Sequence, residues 1–394
     1  MNQEPLAPHA GVPADVEGLA DYERLAPAHL LPEVWKHIQE GAGTGRSIAE
    51  NRAAFARWGF RPRAMADLRG GSTRTSLLGR EHAAPLMLAP LAYQRLAHPE
   101  GELASVRAAT ALDTGMIVST LASLTIEDIA EGARDAARQL GKSAPPLWFQ
   151  LYLQPEREHS LALMRRAEEA GYEAIVLTVD AAIKLSGITL PPGVEAVNLT
   201  GMPRLQQTTR AGGHILFGTP LADTAPRWED LAWLRSATRL PVLVKGMLLK
   251  EDARRAVAEG ADGLIVSNHG GRVLDGLPSA LDVLGEVAEA TGGQVPLLLD
   301  GGVRTGSDIT KALALGAAAV LVGRPQLHAL AVAGMAGVAH ALHLLRTELE
   351  ATMAQLGCRD VGALGFDRLF RFADRDLVDM DPHLQAHRGS DGVD

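Results

Sequence analysis

The sequence has a single cysteine, Cys358, in 394 residues. One cysteine cannot form an intrachain disulfide, which is compatible with a reducing compartment, and we expect Cys358 to be a small buried side chain and not a nucleophile. The sequence also has no block of basic residues, and its formal net charge is −9. Because a surface that follows nucleic-acid phosphates needs clustered lysine and arginine, this composition argues against nucleic-acid binding and favours small-molecule chemistry.

Segments that would target or anchor the chain in a membrane are also lacking. The start, "MNQEPLAPHAGVPADVEG", carries proline and acidic residues where a signal peptide needs a basic start and an apolar stretch, so residues 1–20 are predicted to be a flexible lead. The run "ALALGAAAVLVG" (312–323) is too short to cross a bilayer, and three histidines and two glycines interrupt "HALAVAGMAGVAHALHLL". We expect a cytoplasmic protein with no membrane span, and a solvated tail at 375–394.

Short apolar runs alternate with longer amphipathic segments through the middle of the chain. Segments such as "EREHSLALMRRAEEAG" (156–171) and "KEDARRAVAEGA" (250–261) are apolar at helical spacing and end at or near glycine. This alternation is typical of a parallel sheet covered on both faces. The apolar runs are "PLMLAP" at 85, "GMIVST" at 115, "PLWFQLY" at 146, "AIVLTVD" at 174, "PVLVKG" at 241, "GLIVSN" at 263, "PLLLDGG" at 296 and "AVLVGR" at 319.

A closed (β/α)₈ TIM barrel is the predicted fold, in the α/β class. A doubly wound open sheet would also give the alternation, but eight units within about 240 residues match the barrel better. We predict one barrel domain over 21–374, with a helical cap at 18–70 and closing helices at 330–374. The segment 184–226 is long and rich in glycine and proline, so it is predicted to be an active-site lid after the fourth strand.

Polar or glycine residues end each predicted strand. In such barrels the chemistry lies at the carboxyl ends of the strands, so these groups are expected to converge on one mouth. They are Ser119, Gln150, Tyr152, Thr178, Asp180, Lys245, Asn268, His269, Asp300, Gly323 and Arg324.

The last two units, "LLLDGGVRTGSDITKALALGAAAVLVGRP", favour an anion site. Glycines directly after both strands let backbone N–H groups approach an anion, and Arg304 and Arg324 supply positive charge. The loops after strands seven and eight are also where these barrels commonly hold phosphate. The alternative is a tight turn beside solvated arginines.

Lys245 and His269 are the candidate reactive groups. Lys245 ends the fifth strand, where it could form a Schiff base, bind phosphate or stabilise an anionic cofactor, or extend into solvent. His269 could act as a base near pH 7, with Arg272 three residues further on at the same rim. An imidazole base needs an acidic partner to fix its tautomer, and Asp180, at the end of the fourth strand, is the candidate.

Together these motifs resemble the FMN-dependent 2-hydroxy acid oxidase and dehydrogenase family, which includes glycolate, lactate and mandelate enzymes. The resemblance runs from about residue 30 to 370 and rests on "LAPLAYQRLAHPEGE", "FQLYLQPER", "LTVD", "VLVKGM", "SNHGGRVLDGLPSALDVL" and the last two units. It implies FMN across the barrel mouth, and a homotetramer by analogy.

The resemblance also implies roles for individual residues. His269 would be the base, Arg272 the bidentate carboxylate clamp and Tyr152 a hydrogen-bond partner of the substrate, while Asp180 would orient His269. Lys245 would lie beside the flavin ring, where positive charge favours reduction. Backbone of Pro90, Leu91 and Ala92 would contact the ring, Ser119, Gln150, Thr178 and Ser267 its polar edge or ribityl chain, and Asp300, Gly301, Gly302, Arg304, Gly323 and Arg324 the ribityl and phosphate groups.

Two departures from the family pattern bear on the substrate. His37 stands where the family usually has a tyrosine on the first helix, and "AAIKLSGITLPPG" follows "LTVD" where relatives carry a second carboxylate-binding arginine. Lys184, Arg204 or Arg210 could replace that arginine. Leu121, where many relatives have an aromatic residue, suggests room for a larger apolar substituent.

Several functional alternatives remain open at this level. The chain could oxidise a non-standard substrate in a biosynthetic pathway, or bind flavin without turnover. Oxygen, a quinone or a carrier protein could reoxidise FMN. No metal site is expected, because His340 and His343 share a helix face without a third ligand at useful spacing.

Overall fold

Helices and short strands precede the barrel in the computed structural model, which describes residues 4–181, 188–203, 217 and 220–372. These elements form the predicted helical cap and a small antiparallel hairpin, β2 with β3. In chain order they are α1 (Leu19–Leu25), α2 (Pro32–Gln39), α3 (Arg46–Ala56), β1 (Trp58–Phe60), β2 (Thr75–Leu77) and β3 (Arg80–His82).

Eight parallel strands close into a barrel, and each corresponds to one of the eight apolar runs in the sequence. Sequential strands are neighbours, and the last pairs with the first, where Val320 lies opposite Leu86. The predicted (β/α)₈ barrel is therefore confirmed. The strands are β4 (Leu86–Leu88), β5 (Gly115–Ser119), β6 (Leu147–Leu151), β7 (Ala174–Thr178), β8 (Val242–Met247), β9 (Gly263–Val266), β10 (Leu297–Asp300) and β11 (Ala319–Val322).

Helices follow the strands, and hydrogen-bonding side chains begin several of them. Thr125, Ser279 and Thr305 each accept a hydrogen bond from a backbone N–H in the first turn of the next helix. The helices are α4 (Glu102–Ala111), α5 (Ile126–Leu140), α6 (Arg157–Ala170), α7 (Pro220–Asp223), α8 (Trp228–Ala237), α9 (Lys250–Ala258), α10 (Ala280–Thr291), α11 (Gly306–Ala314) and α12 (Arg324–Leu356). Short 3₁₀ turns cover Ala26–His29, Gln94–Leu96, Val197–Leu199, His269–Gly271, Val361–Ala363 and Phe366–Arg368.

The barrel interior is a packed apolar core, separate from the larger core between strands and helices. Leu77 of the β2–β3 hairpin packs against the interior side chains, and Arg80 donates a hydrogen bond to the Ala144 carbonyl just before β6. The hairpin therefore covers the amino end of the barrel. The strand residues inside are Met87, Ala89, Ile117, Trp148, Ala174, Val176, Leu243, Ile265, Leu298, Ala319 and Leu321.

The helical predictions for 18–70 and 330–374 extend too far. Helix α3 ends at Ala56, and Trp58–Phe60 forms β1. This strand pairs antiparallel with β12 (Leu369–Arg371), after α12 has ended at Leu356. The two segments are strands because they pair with each other across more than 300 positions of sequence, which no local periodicity records.

Helix α12 is long and apolar, with a mean hydropathy of 1.4 over its most apolar 18-residue window. By length and composition it could cross a membrane, but 67% of that window is buried inside the protein, as expected for a core helix. Its backbone leaves the helical conformation at Ala333 and Gly334. The Val332 carbonyl, just before this kink, accepts a hydrogen bond of 2.8 Å from the backbone N–H of His9.

Parts of the predicted lead, lid and tail lie outside the described residues. Within the lead, the backbone N–H of Leu6 donates to the Ala28 carbonyl at 2.9 Å, so this segment lies along the cap. Its flexibility, the domain limits and the lid function of 184–226 stay predictions. The tail 375–394 is not among the described residues.

Candidate active site

A cavity of about 320 Å³ opens at the carboxyl end of the barrel. It brings together the predicted site residues except Asp180, Ser267 and Asn268, which lie directly behind its wall. The predicted residues that line it are Pro90, Leu91, Ala92, Ser119, Gln150, Tyr152, Thr178, Lys245, His269, Arg272, Asp300, Gly301, Gly302, Arg304, Gly323 and Arg324.

His269 and Asp180 form a hydrogen-bonded pair beside this cavity. The imidazole Nδ1 lies 2.9 Å from Asp180 Oδ1, a contact that favours the tautomer with the proton on Nδ1. Burial alone would raise the pKa of Asp180, but the charges of Lys245 and His269 outweigh it and hold this pKa below its usual value. Asp180 is therefore a carboxylate at neutral pH and can stabilise an imidazolium.

The backbone at His269 is in the left-handed region, with φ of +56°, which is uncommon for a residue with a side chain. Its N–H donates to Ser267 Oγ at 2.9 Å. Ser267 is thus a support of the histidine, placed behind the cavity wall.

Lys245 is buried among two carboxylates and this serine. Its Nζ lies 2.8 Å from Ser267 Oγ, 3.2 Å from Asp300 Oδ2 and 3.6 Å from Asp180 Oδ2. Burial tends to lower the pKa of Lys245, but the two aspartates outweigh burial and raise it above its usual value. A lysine that keeps its proton is a poor Schiff-base nucleophile, so this environment favours an electrostatic role for the ammonium.

Carbonyl groups hold two of the cavity arginines. Arg272 Nη1 donates to the Ile38 and Glu40 carbonyls, both at 2.9 Å. Arg324 donates from Nε to the same Ile38 carbonyl at 3.1 Å, and from Nη2 to the Gly270 carbonyl at 2.8 Å. The end of helix α2 therefore orients both guanidinium groups without neutralising either.

These arginines, with Arg304, form a concentrated positive region. Burial and then the charges of Arg272 and Arg304 lower the pKa of Arg324 to about 9. Burial and the charge of Arg52 lower the pKa of Arg304 to about 10, although Glu23 lies 3.6 Å from it. Guanidinium groups that repel one another in this way are stabilised by an anion such as a phosphate.

Buried polar atoms in the cavity wall also indicate a polar ligand. Gln150 Nε2, Thr178 Oγ1 and Asp300 Oδ1 have no hydrogen-bond partner among the described residues. Buried polar groups are normally paired, so unpaired ones around a cavity suggest that a ligand pairs them. Amide, hydroxyl and carboxylate groups suit the carbonyl and N–H edge of a flavin and the hydroxyls of its ribityl chain.

Tyr152 and several residues not assigned from the sequence complete the wall. Burial is the main cause that raises the pKa of Tyr152 above its usual value, so its hydroxyl stays protonated and can donate a hydrogen bond. Tyr93, which the sequence reasoning did not assign, also lines the cavity, and its N–H donates to the Leu121 carbonyl at 3.0 Å. Tyr93 could have been assigned from the sequence, because it lies in "LAPLAYQRLAHPEGE", one of the motifs that carry the family resemblance. Further lining residues are His37, Ile38, Leu96, Ala97, Leu121 and Leu327.

The sequence also offered Lys184, Arg204 and Arg210 as replacements for a second carboxylate-binding arginine. All three lie outside the described residues. Among the described lining residues, the cationic side chains are Lys245, Arg272, Arg304 and Arg324. Of these, only Arg272 belongs to the same short loop as His269.

A (β/α)₈ barrel with an imidazole–carboxylate pair, a buried ammonium and an arginine-rich anion site at its mouth defines a class of cofactor-dependent enzymes. The model of the FMN-dependent dehydrogenase family matches residues 26–371. The chain belongs to this family. Its cofactor is accordingly FMN, and it is an oxidoreductase of the FMN-dependent 2-hydroxy acid oxidase group.

Curated relatives and a solved structure agree with this assignment. An L-lactate oxidase from Alicycliphilus denitrificans is 50% identical, over 92% of this chain and 99% of its own. A 4-hydroxymandelate oxidase from Amycolatopsis orientalis is 43% identical, over 88% of this chain and 96% of its own. A crystal structure of mandelate oxidase with (S)-2-phenylpropionate superposes with a TM-score of 0.79 at 42% identity, covering 91% of this chain and 98% of that one.

Proposed function

We propose that the protein oxidises an L-2-hydroxy acid to the 2-oxo acid, with His269 as the base and Arg272 as the carboxylate clamp. The observation that carries this proposal is the 2.9 Å contact between His269 Nδ1 and Asp180 Oδ1 at the edge of the cavity. Two electrons and two protons leave the substrate: His269 takes one proton, and the other passes with the electron pair to the acceptor that FMN would supply. When bound, FMN supplies the two-electron acceptor.

The pairing of His269 with the Asp180 carboxylate explains how the imidazole can act as a base near neutral pH. Asp180 fixes the proton on Nδ1, which leaves Nε2 as the acceptor, and it stabilises the imidazolium after proton transfer. Asp180 keeps its charge because Lys245 lies beside it.

Arg272 grips the substrate carboxylate through one edge of its guanidinium group. The two N–H groups of Nη1 are taken by the Ile38 and Glu40 carbonyls. The edge formed by Nε and Nη2 can therefore bind two carboxylate oxygens side-on. The protonated hydroxyl of Tyr152, on the wall of the same cavity, donates a further hydrogen bond to the substrate.

The residues proposed to hold FMN lie around the same cavity. Gln150 and Thr178 would pair the polar edge of the flavin, Lys245 would supply positive charge beside the ring, and the arginine-rich loops would hold the phosphate. The positive charge of Lys245 makes reduction more favourable.

Oxygen is the proposed final electron acceptor. Curated relatives are named oxidases, among them an L-lactate oxidase from Nostoc at 44% identity. Turnover measured in air, and again without oxygen in the presence of an artificial dye, tests this part. An enzyme that turns over only with the dye would be a dehydrogenase.

Anaerobic reduction of bound flavin tests the proposal directly. We expect the yellow colour to bleach with an L-2-hydroxy acid, and the rate to fall by at least a hundredfold in His269→Gln. A series from L-lactate to larger aliphatic and aromatic acids defines the substituent, which we expect to be large because Leu121 stands on the cavity wall where many relatives have an aromatic residue. A flavin that stays oxidised with every acid would refute the function, and a preference for glycolate would refute a large pocket.

The homotetramer and the cytoplasmic location stay proposals that rest on resemblance and composition. Size-exclusion chromatography with light scattering would test the first, and fractionation of the native cells the second.

A further inference from the structure

Two buried asparagines, Asn51 and Asn268, form a reciprocal pair of hydrogen bonds. Asn51 Nδ2 donates to Asn268 Oδ1 at 2.8 Å, and Asn268 Nδ2 donates to Asn51 Oδ1 at 2.9 Å. Both residues are almost inaccessible to solvent, at 2% and 1%. The pair joins helix α3 of the cap to the residue directly before His269, although 217 positions separate the two residues in the chain.

The Asn268 amide also fastens the segment 267–278, which we call the base loop. Its Oδ1 accepts a second hydrogen bond from the Gly271 N–H at 3.1 Å, and its Nδ2 donates to the Pro278 carbonyl at 2.9 Å. The amide therefore uses both acceptor sites and both donor N–H groups. His269, with its uncommon φ of +56°, lies between the points that this amide holds.

Asn51 reaches the cofactor side of the site as well. Its Nδ2 would lie 3.3 Å from a Cβ at Gly301, and a Cβ at Gly302 would overlap the Asn51 carbonyl oxygen. Helix α3 therefore packs directly on the glycines after β10. One residue of the cap thus contacts both the base loop and the loop expected to hold FMN.

We propose that Asn51 and Asn268 are positioning residues that set the place of His269 relative to Asp180 and tie it to the glycine loop of the cofactor site. The inference rests on the proposed function, because it takes His269 to be the base. Neither asparagine lines the cavity in the described part of the chain, so both act through the residues they hold.

Breaking the asparagine pair would remove contacts that hold the base loop in place. A left-handed conformation at a histidine persists only where its surroundings impose it. Without Asn51, the Asn268 amide loses one donor contact and one acceptor contact in a dry environment, so Asn268 and the base loop relax toward other partners. A shift of about 1 Å at His269 is enough to slow proton transfer by about a hundredfold.

The test compares Asn51→Ala and Asn51→Asp with Asn198→Ala. Asn198 is a matched control because it is also 2% exposed and paired through both its side-chain oxygen and its amide nitrogen, to Ile126, Arg166 and Leu124, away from the cavity. Asn51→Asp keeps the size of the side chain and the hydrogen bond from Asn268 Nδ2, but its carboxylate cannot donate to Asn268 Oδ1, so it breaks half of the pair without leaving a cavity. Three quantities are measured on each variant: the dissociation constant of FMN, the rate of anaerobic flavin reduction per bound flavin, and the pH dependence of that rate.

We expect both Asn51 variants to reduce flavin about tenfold to a hundredfold more slowly per bound FMN, and to bind FMN several-fold more weakly. The limb of the pH profile that reports deprotonation of the base should move to lower pH, because His269 loses contact with Asp180. Asn198→Ala should lose thermal stability while keeping the wild-type rate and limb. Asn51 variants that behave like Asn198→Ala, in a protein where His269→Gln is slow, would overturn the positioning role alone. A His269→Gln variant as fast as the wild type would instead overturn the proposed base.

Discussion

The contact between Asp180 and His269 allows a quantitative prediction for Asp180→Asn. At 2.9 Å, two unit charges in a medium of effective dielectric constant ~20 attract by about 6 kcal/mol, which is an upper figure. A hydrogen bond between charged groups contributes about 1.5–3 kcal/mol net. Substitution by asparagine removes the carboxylate charge and leaves the side-chain size unchanged.

The sign of the effect follows from which protonation state the carboxylate stabilises. Asp180 stabilises the imidazolium, so its loss makes His269 a weaker base and moves the activity limb to lower pH by about 1–2 units. The rate of flavin reduction at neutral pH should fall by roughly 10- to 150-fold, because the imidazolium that forms during proton transfer is no longer stabilised.

Anaerobic stopped-flow reduction of the bound flavin between pH 5 and 9 measures both quantities. Asp300→Asn is the matched control, because it also removes one carboxylate partner of Lys245, at 3.2 Å, while the hydrogen bond between His269 and Asp180 stays in place. That control should leave the limb in place, whatever its effect on FMN binding. A limb that stays where it is in Asp180→Asn, with a rate within threefold of the wild type, would refute the assignment of Asp180 as the partner of the base.

Three further substitutions test other parts of the site. Lys245→Met removes the ammonium that lies between two carboxylates. We expect the affinity of bound flavin for sulfite to fall at least tenfold and the protein to unfold at lower temperature. Unchanged sulfite affinity would place the ammonium away from the ring. Gly302, at φ of +89°, packs against the backbone of α3, so the Cβ in Gly302→Ala would overlap that backbone and both FMN content and thermal stability should fall sharply. Gly293→Ala is the control: Gly293 has φ of +71° and open space around it, so this variant shows only the backbone strain, at about 1 kcal/mol. Equal losses would show that packing on α3 is unimportant. Hydrogen bonds from the Ser47 backbone and the Thr44 side chain lower the pKa of Asp275 to about 2, so the stability it contributes is complete above the unfolded pKa and is lost as pH falls toward 2. Asp275→Asn should therefore unfold at lower temperature than the wild type at pH 7, and the difference should close by about pH 2; a constant difference would contradict the linkage.

The barrel could be predicted because its strands carry a strong local signal. Strands buried on both faces read as unbroken apolar runs, and a polar or glycine residue follows each one at the mouth. The pairing of β1 with β12 has no such signal, since Trp58–Phe60 gains its strand structure only from Leu369–Arg371. For the same reason the helical predictions ran past Ala56 and Leu356.

The site could be predicted to the level of residue types at strand ends, and Asp180 was found as the partner of His269 in this way. Residues that support the site from another part of the fold could not be predicted. Asn51 lies in an ordinary amphipathic helix, and Ser267 reads as one more strand-end hydroxyl, so neither pattern shows which groups face the cavity and which stand behind it. Such contacts depend on how the cap packs on the barrel, which single-sequence periodicity does not contain.

The distribution of partners around the cavity separates two electrostatic tasks. Carboxylates surround Lys245 and His269, so this side can exchange a proton while its net charge stays small. Arg272 and Arg324 are instead oriented by backbone carbonyls, which carry no formal charge. A guanidinium held in this way keeps its full charge for an anionic ligand, whereas one held by aspartate would already be neutralised. Under the proposed function, the arginines held by carbonyls would bind the phosphate of FMN and the carboxylate of the hydroxy acid, while the groups paired with carboxylates would move the proton.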